Sequence, residues 1–165
     1  MKFAPYTSGD FQKVILLLEK HIDFTPEVAS PDPEGNLDLF KEEDVHAQSY
    51  ILRSDDDTCV YAFMRVSKHS LKDGGQCFYV PELYAKNDGF AEDHAKTLLI
   101  EFEKSLFETK ELCGIAHPQD QRASDFWQSN GYALSPERSI YNNIDDETLV
   151  AYRKPLQSCA GKANS

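Results

Sequence analysis

The stretch Cys77-Phe78-Tyr79-Val80-Pro81-Glu82-Leu83-Tyr84-Ala85-Lys86 is rich in aromatic and apolar side chains and predicts a strand. Pro81 interrupts it. Proline has no N–H to give to a ladder, so a bulge or an unpaired edge is expected at that point. Asn87-Asp88-Gly89 follows and reads as a turn. Beyond it Ala95, Leu98, Leu99, Phe102 and Leu106 recur at i, i+3, i+4, i+7 and i+11, with Glu92, Asp93, Lys96 and Glu103 off the stripe. That spacing predicts an amphipathic helix over 91–108. An interrupted strand running into a long helix is an α/β signal.

Upstream, residues 49–53 and 58–66 carry Tyr, Ile, Val and Phe on either side of Ser54-Asp55-Asp56-Asp57 and predict an antiparallel hairpin, with 68–76 as a connection. From Thr25 to Gln48 the pattern lapses, because Pro26, Pro31, Pro33 and Gly35 break structure, and a flap with a short helix is expected there. Residues 3–6 read as a short strand, and Thr7-Ser8-Gly9-Asp10 as a helix N-cap. Phe11, Val14, Ile15, Leu18 and Ile22 would then line one helical face. Downstream, 112–116 reads as a strand, Ala123, Phe126 and Trp127 lie on a helix stopped by Gly131, and 139–144 with 149–154 predict a closing hairpin. The order predicts one mixed α/β domain over 1–155 and a frayed tail over 156–165.

At 165 residues the chain is long enough to bury one sound core. Its net charge of -11 argues against nucleic-acid binding, which relies on cations neutralising phosphates, and against anionic membranes. An acidic surface steers cationic partners instead: amines, polyamines or basic peptides. The run Val14 to Leu18 is too short for a signal peptide or a span, and Cys59, Cys77, Cys113 and Cys159 form no C-x-x-C pair. A cytoplasmic protein with reduced thiols and no metal site is expected. No G-x-S-x-G, H-E-x-x-H or P-loop pattern is present.

Two segments carry a family resemblance. Val80 to Ala85, with the loop and helix that follow, and Asp120-Gln121-Arg122-Ala123-Ser124-Asp125-Phe126-Trp127-Gln128-Ser129-Asn130-Gly131-Tyr132 resemble the GCN5-related N-acetyltransferase (GNAT) family. The second segment is similar to that family's Asn-x-x-Ala-x-x-Phe-Tyr-x-x-x-Gly-Phe. The resemblance implies a mostly antiparallel mixed sheet flanked by helices, and transfer of an acetyl group from acetyl-CoA, as co-substrate, to a primary amine of a small basic molecule or a peptide. It implies that Leu83, Tyr84 and Ala85 hold the pantetheine arm through backbone groups, that His94 and Ala95 lie at the phosphates and that Phe126 borders the cofactor, while a rearranged phosphate loop would use Lys86, Asn87, Gly89 or Lys96. A homodimer is common among such proteins.

The sequence departs from the family at the phosphate loop. Where the family reads Gln/Arg-x-x-Gly-x-Gly/Ala, this chain has Phe90-Ala91-Glu92-Asp93-His94-Ala95, and only Ala95 fits. Glu92 and Asp93 would repel a pyrophosphate, or serve as ordinary first-turn acids of a helix. Amine acetylation needs a base and an acid. Glu82, which immediately precedes the bulge that the resemblance implies, is the base candidate, and His117 is a second. Trp127 stands where the family places its acidic tyrosine, so Tyr132, Tyr84 or Tyr141 would have to replace it, or solvent would. Two readings remain open: an acetyltransferase with a rearranged loop, and a non-catalytic module of the same fold.

Overall fold

The computed structural model describes residues 1–25, 47–70, 76–106, 109–135 and 150–156. The flap expected between Pro26 and the first hairpin, the first strand of the closing hairpin, Tyr141 and most of the tail lie outside the described residues. Along the chain run β1 (Lys2–Pro5), a 3-10 turn (Ser8–Asp10), α1 (Phe11–Glu19), β2 (His21–Asp23), β3 (Ala47–Arg53), β4 (Val60–Ser70), β5 (Gln76–Lys86), α2 (Ala91–Ser105), β6 (Thr109–Ala116), α3 (Gln121–Ser129), β7 (Ala133–Ser135) and β8 (Val150–Pro155).

One sheet joins the strands in the order β1-β3-β4-β5-β6-β8-β7, with β2 added on β5. Only β5 and β6 pair in parallel among the described residues. Parallel neighbours need a crossover, and α2 supplies it. The stripe read from the sequence is the buried face of α2: Ala95, Leu98, Leu99 and Phe102 are fully covered. Phe102 packs its ring 5.0 Å from Tyr50 on β3 and 5.6 Å from Phe78 on β5, which seats the helix across the middle of the sheet. Pro81 acts as expected. Arg65 pairs with Glu82 and Ser67 with Tyr79, so Val80 and Pro81 on β5 face the single residue Val66 on β4. That is a bulge.

Several expectations are corrected. Helix α1 ends at Glu19, so Ile22 is not on its face but in β2. Its buried positions are Val14 and Leu17, and Leu17 has no place in the stripe read from the sequence. Thr7 does begin the turn before α1: its N–H and its hydroxyl both donate to the Asp10 carboxylate, at 3.0 and 2.9 Å. Strand β4 continues to Ser70, through residues expected to be connection. Helix α2 ends at Ser105 rather than at 108. Strands β2 and β7 were not legible at all, being three residues each.

Candidate functional site

The bulge divides β5 into two halves with different neighbours. Up to Val80 the edge away from β4 pairs with β6; after Pro81 that edge pairs with β2. Leu83 faces β2, since its carbonyl accepts the Phe24 N–H at 3.0 Å and its N–H donates to the Thr25 hydroxyl at 3.2 Å. Alternation along a strand turns Ala85 to the same edge and Glu82 and Tyr84 to β4. Thus the backbone groups that the resemblance assigns to a cofactor are engaged by the chain itself in this arrangement.

Glu82 is 6% exposed and sits opposite Arg65. Burial raises its pKa above the usual carboxylate range, Arg65 opposes that rise, and the nearby Asp23 carboxylate adds to it. A carboxylate that holds its proton more tightly than usual is a stronger base when ionised. Beside it, His21 donates from Nδ1 to the Leu18 carbonyl at 2.8 Å, which turns Nε2 toward Asp23 Oδ1 at 3.4 Å. A nitrogen that donates to a carbonyl carries its proton, so the opposite ring nitrogen is the one left to face the carboxylate. None of this cluster but Glu82 was singled out from the sequence. The approach of His21 and Asp23 to β5 is set by the pairing of β2, which has no sequence signal.

At the start of α2 the amides of Ala91, Glu92 and Asp93 have no partner within the helix, whose ladder begins with the His94 N–H donating to the Phe90 carbonyl at 2.9 Å. The Asp88 carboxylate accepts the Phe90 N–H at 3.0 Å and meets His94 Nε2 at 3.0 Å. Burial alone would raise the Asp88 pKa, but hydrogen bonds from His94 and Phe90 and the charges of His94 and Lys86 hold it low. Gly89 carries the turn at φ +90°, a conformation that favours glycine. His94 is buried against Tyr61, with ring centroids 4.9 Å apart. A cleft of about 580 Å³ lies between α2 and α3, lined by Glu92, Asp93, Lys96, Arg122 and Phe126 among others. Arg122 Nε lies 3.8 Å from Glu92 Oε1, both exposed.

The remaining predicted positions lie elsewhere. His117 is half-buried just past the end of β6, and its carbonyl accepts the Asp120 N–H at 3.0 Å. Tyr132 donates its hydroxyl to Glu103 Oε1 at 2.8 Å, and burial, then the Glu103 charge, push its pKa far up. Glu103 is near the C-terminal end of α2, about 18 Å along the helix from its first turn. Tyr84 packs edge-on to His21 at 5.3 Å. Trp127 is fully buried, and its Nε1–H donates to the Phe24 carbonyl at 2.9 Å. No group of three or more metal-ligating side chains occurs among the described residues.

Compared by sequence, the chain matches no family model and no curated protein. By structure it is similar to an acetyltransferase from Thermus thermophilus, with a TM-score of 0.69 at 15% identity over 94% of this chain and 96% of the other. The NatB acetyltransferase complex bound to CoA and MES gives 0.69 at 13% identity, over 95% of this chain and 100% of that one. This is a GNAT fold. The ribosomal-protein-S18-alanine N-acetyltransferase from Escherichia coli shares the GNAT fold too, at 0.64 and 13% identity over 94% of both chains. Acetyl-CoA, which the GNAT fold implies, can be tested against the residues present. The Leu83 backbone is engaged by Phe24 and Thr25, and Glu92 and Asp93 put two negative charges in the first turn of α2. In this arrangement these residues do not fit it.

Proposed function

We propose that the chain is a cytoplasmic N-acetyltransferase acting on a primary amine of a small basic molecule or a peptide, with acetyl-CoA as the donor. The observation that carries this reading is the position of Glu82: buried, directly after the bulge, on the strand that the GNAT fold bends away from β6. Amines are charged at neutral pH and are not nucleophiles until a proton leaves. The Glu82 carboxylate takes that proton, and its surroundings already favour the protonated form. The acidic surface, with a net charge of -11, draws cationic acceptors toward the protein. Acetyl-CoA as the donor would require the Leu83 backbone to be released from Phe24 and Thr25.

The test is release of free CoA thiol from acetyl-CoA in the presence of polyamines, aminated small molecules and peptides with free N-termini. At least one acceptor class should give turnover, and Glu82→Gln should lower kcat by 10²- to 10⁴-fold, the range for a lost general base. Turnover unchanged by Glu82→Gln would remove Glu82 from the proposal.

A second reading, a non-catalytic module of the same fold, is favoured by one observation. Asp88, Glu92 and Asp93 cluster at the first turn of α2, where a pyrophosphate needs positive potential. Lack of any CoA binding by the chain and its variants would select that reading.

A further inference from the structure

Strand β5 has two edges. β4 lies along one of them on both sides of the bulge, and β6 lies along the other only as far as Val80. Past Pro81 the second edge does not stay open, because β2 pairs with it: His21 opposite Lys86, Ile22 opposite Ala85 and Asp23 opposite Tyr84. The pairing extends at each end. The Asn87 N–H donates to the Lys20 carbonyl at 3.1 Å, and the Phe24 N–H to the Leu83 carbonyl at 3.0 Å.

One step further the ladder changes partners. The Leu83 N–H goes to the Thr25 hydroxyl at 3.2 Å, and the Phe24 carbonyl takes the Trp127 indole N–H at 2.9 Å. The Phe24 side chain is fully buried, with its ring centroid 4.5 Å from that of Phe126. Residues 21–25 thus leave α1 and are held by the β5 edge, whose Leu83 N–H donates to the segment's own Thr25 hydroxyl, by the Trp127 indole and by an aromatic contact with Phe126.

We propose that residues 21–25 act as a built-in ligand of β5, holding in cis the backbone groups of Leu83 and Ala85 that the amides of a pantetheine arm would otherwise take. This rests on the reading of the chain as an acetyl-CoA-dependent transferase. A peptide strand and a pantetheine arm offer the same amide donors and acceptors, so they compete for one edge. The cofactor then binds only the fraction of molecules in which the segment has peeled away, and its apparent affinity falls by that fraction. Phe24 and Trp127 set how small the fraction is, and Thr25 is its most easily altered fastening.

Thr25→Val keeps the side-chain shape but removes the acceptor for the Leu83 N–H, which weakens the closed state alone. The double variant Ile22→Cys, Ala85→Cys places two thiols directly opposite each other in the β2–β5 register, where oxidation ties the segment down and a reductant frees it. Acetyl-CoA is titrated calorimetrically against the parent chain, Thr25→Val, and the double variant oxidised and reduced. The expected result is binding roughly tenfold tighter for Thr25→Val, an at least tenfold loss in the oxidised double variant and recovery on reduction. Equal affinity of the oxidised and reduced forms overturns the proposal and leaves the transferase reading standing. No binding by any form, Thr25→Val included, overturns both.

Discussion

Gly114 and Trp127 occupy one space between them: a Cβ on Gly114 would lie 2.4 Å from Trp127 Cε2, nearer than any real contact. Gly114 lies in the middle of β6, between Val80 on β5 and Tyr152 on β8, and Trp127 comes down on it from α3. The indole is the largest fully buried side chain among the described residues. Gly114→Ala should therefore destabilise the chain by about 1–3 kcal/mol through overpacking, read as a lower urea midpoint. In the double variant with Trp127→Phe the smaller ring leaves room, and the combined loss should be less than the sum of the single losses. Strict additivity would show that the two do not compete for the space.

The buried Glu82 makes stability depend on pH with a definite sign. Its folded pKa is raised, chiefly by burial. Between the unfolded and the folded value, the folded chain holds a proton that the unfolded chain has released. The stability this group contributes is present in full below its unfolded value of about 4.3 and is lost as the pH rises through the folded one. Glu82→Gln has no such titration. Its urea midpoint relative to the parent should therefore rise as the pH is raised above the unfolded value, and a difference that stays flat would contradict the raised pKa.

Glu92 and Asp93 are exposed acids in the first turn of α2, on the wall of the cleft that also presents Lys96 and Arg122. Neutralising them as Glu92→Gln with Asp93→Asn should strengthen acetyl-CoA binding roughly tenfold at low ionic strength, with the gain shrinking as salt is added. Calorimetry at two salt concentrations checks both halves. A gain independent of salt would point to a change in the loop rather than to charge.

Tyr132 ties α2 to the turn after α3 through its hydroxyl on Glu103, while Lys154 on β8 reaches the other Glu103 oxygen at 2.9 Å. Tyr132→Phe removes a buried hydrogen bond to a charged group, expected to cost about 1.5–3 kcal/mol. Chemical denaturation measures it. A loss below the lower figure would mean that Lys154 alone satisfies Glu103.

Much of the framework was legible because it rests on local physics. Pro81 cannot donate to a ladder whatever surrounds it, and the structure puts the bulge at Val80 and Pro81. The stripe from Ala95 to Phe102 is a property of helical spacing, and all its members are buried. The pair of segments that resembles an acetyltransferase led to the right fold, although sequence comparison alone matches nothing. The site was less legible. Ile22 completes a helical stripe as well as any residue could, yet α1 stops at Glu19, and Ile22 pairs with Ala85 across 63 positions. A three-residue strand is too short for alternation to show.

By itself, then, the sequence determined the elements whose cause lies within about four residues: the bulge, the buried stripe of α2 and the end of α3 at Gly131. Only the tertiary structure decided what fills the edge past Pro81, why Gly114 must lack a side chain, and which charges surround Glu82. Hydrogen bonds between distant backbone groups carry no side-chain signature, and the room for an indole is set by the strand beneath it. Those facts exist only once the chain has closed on itself.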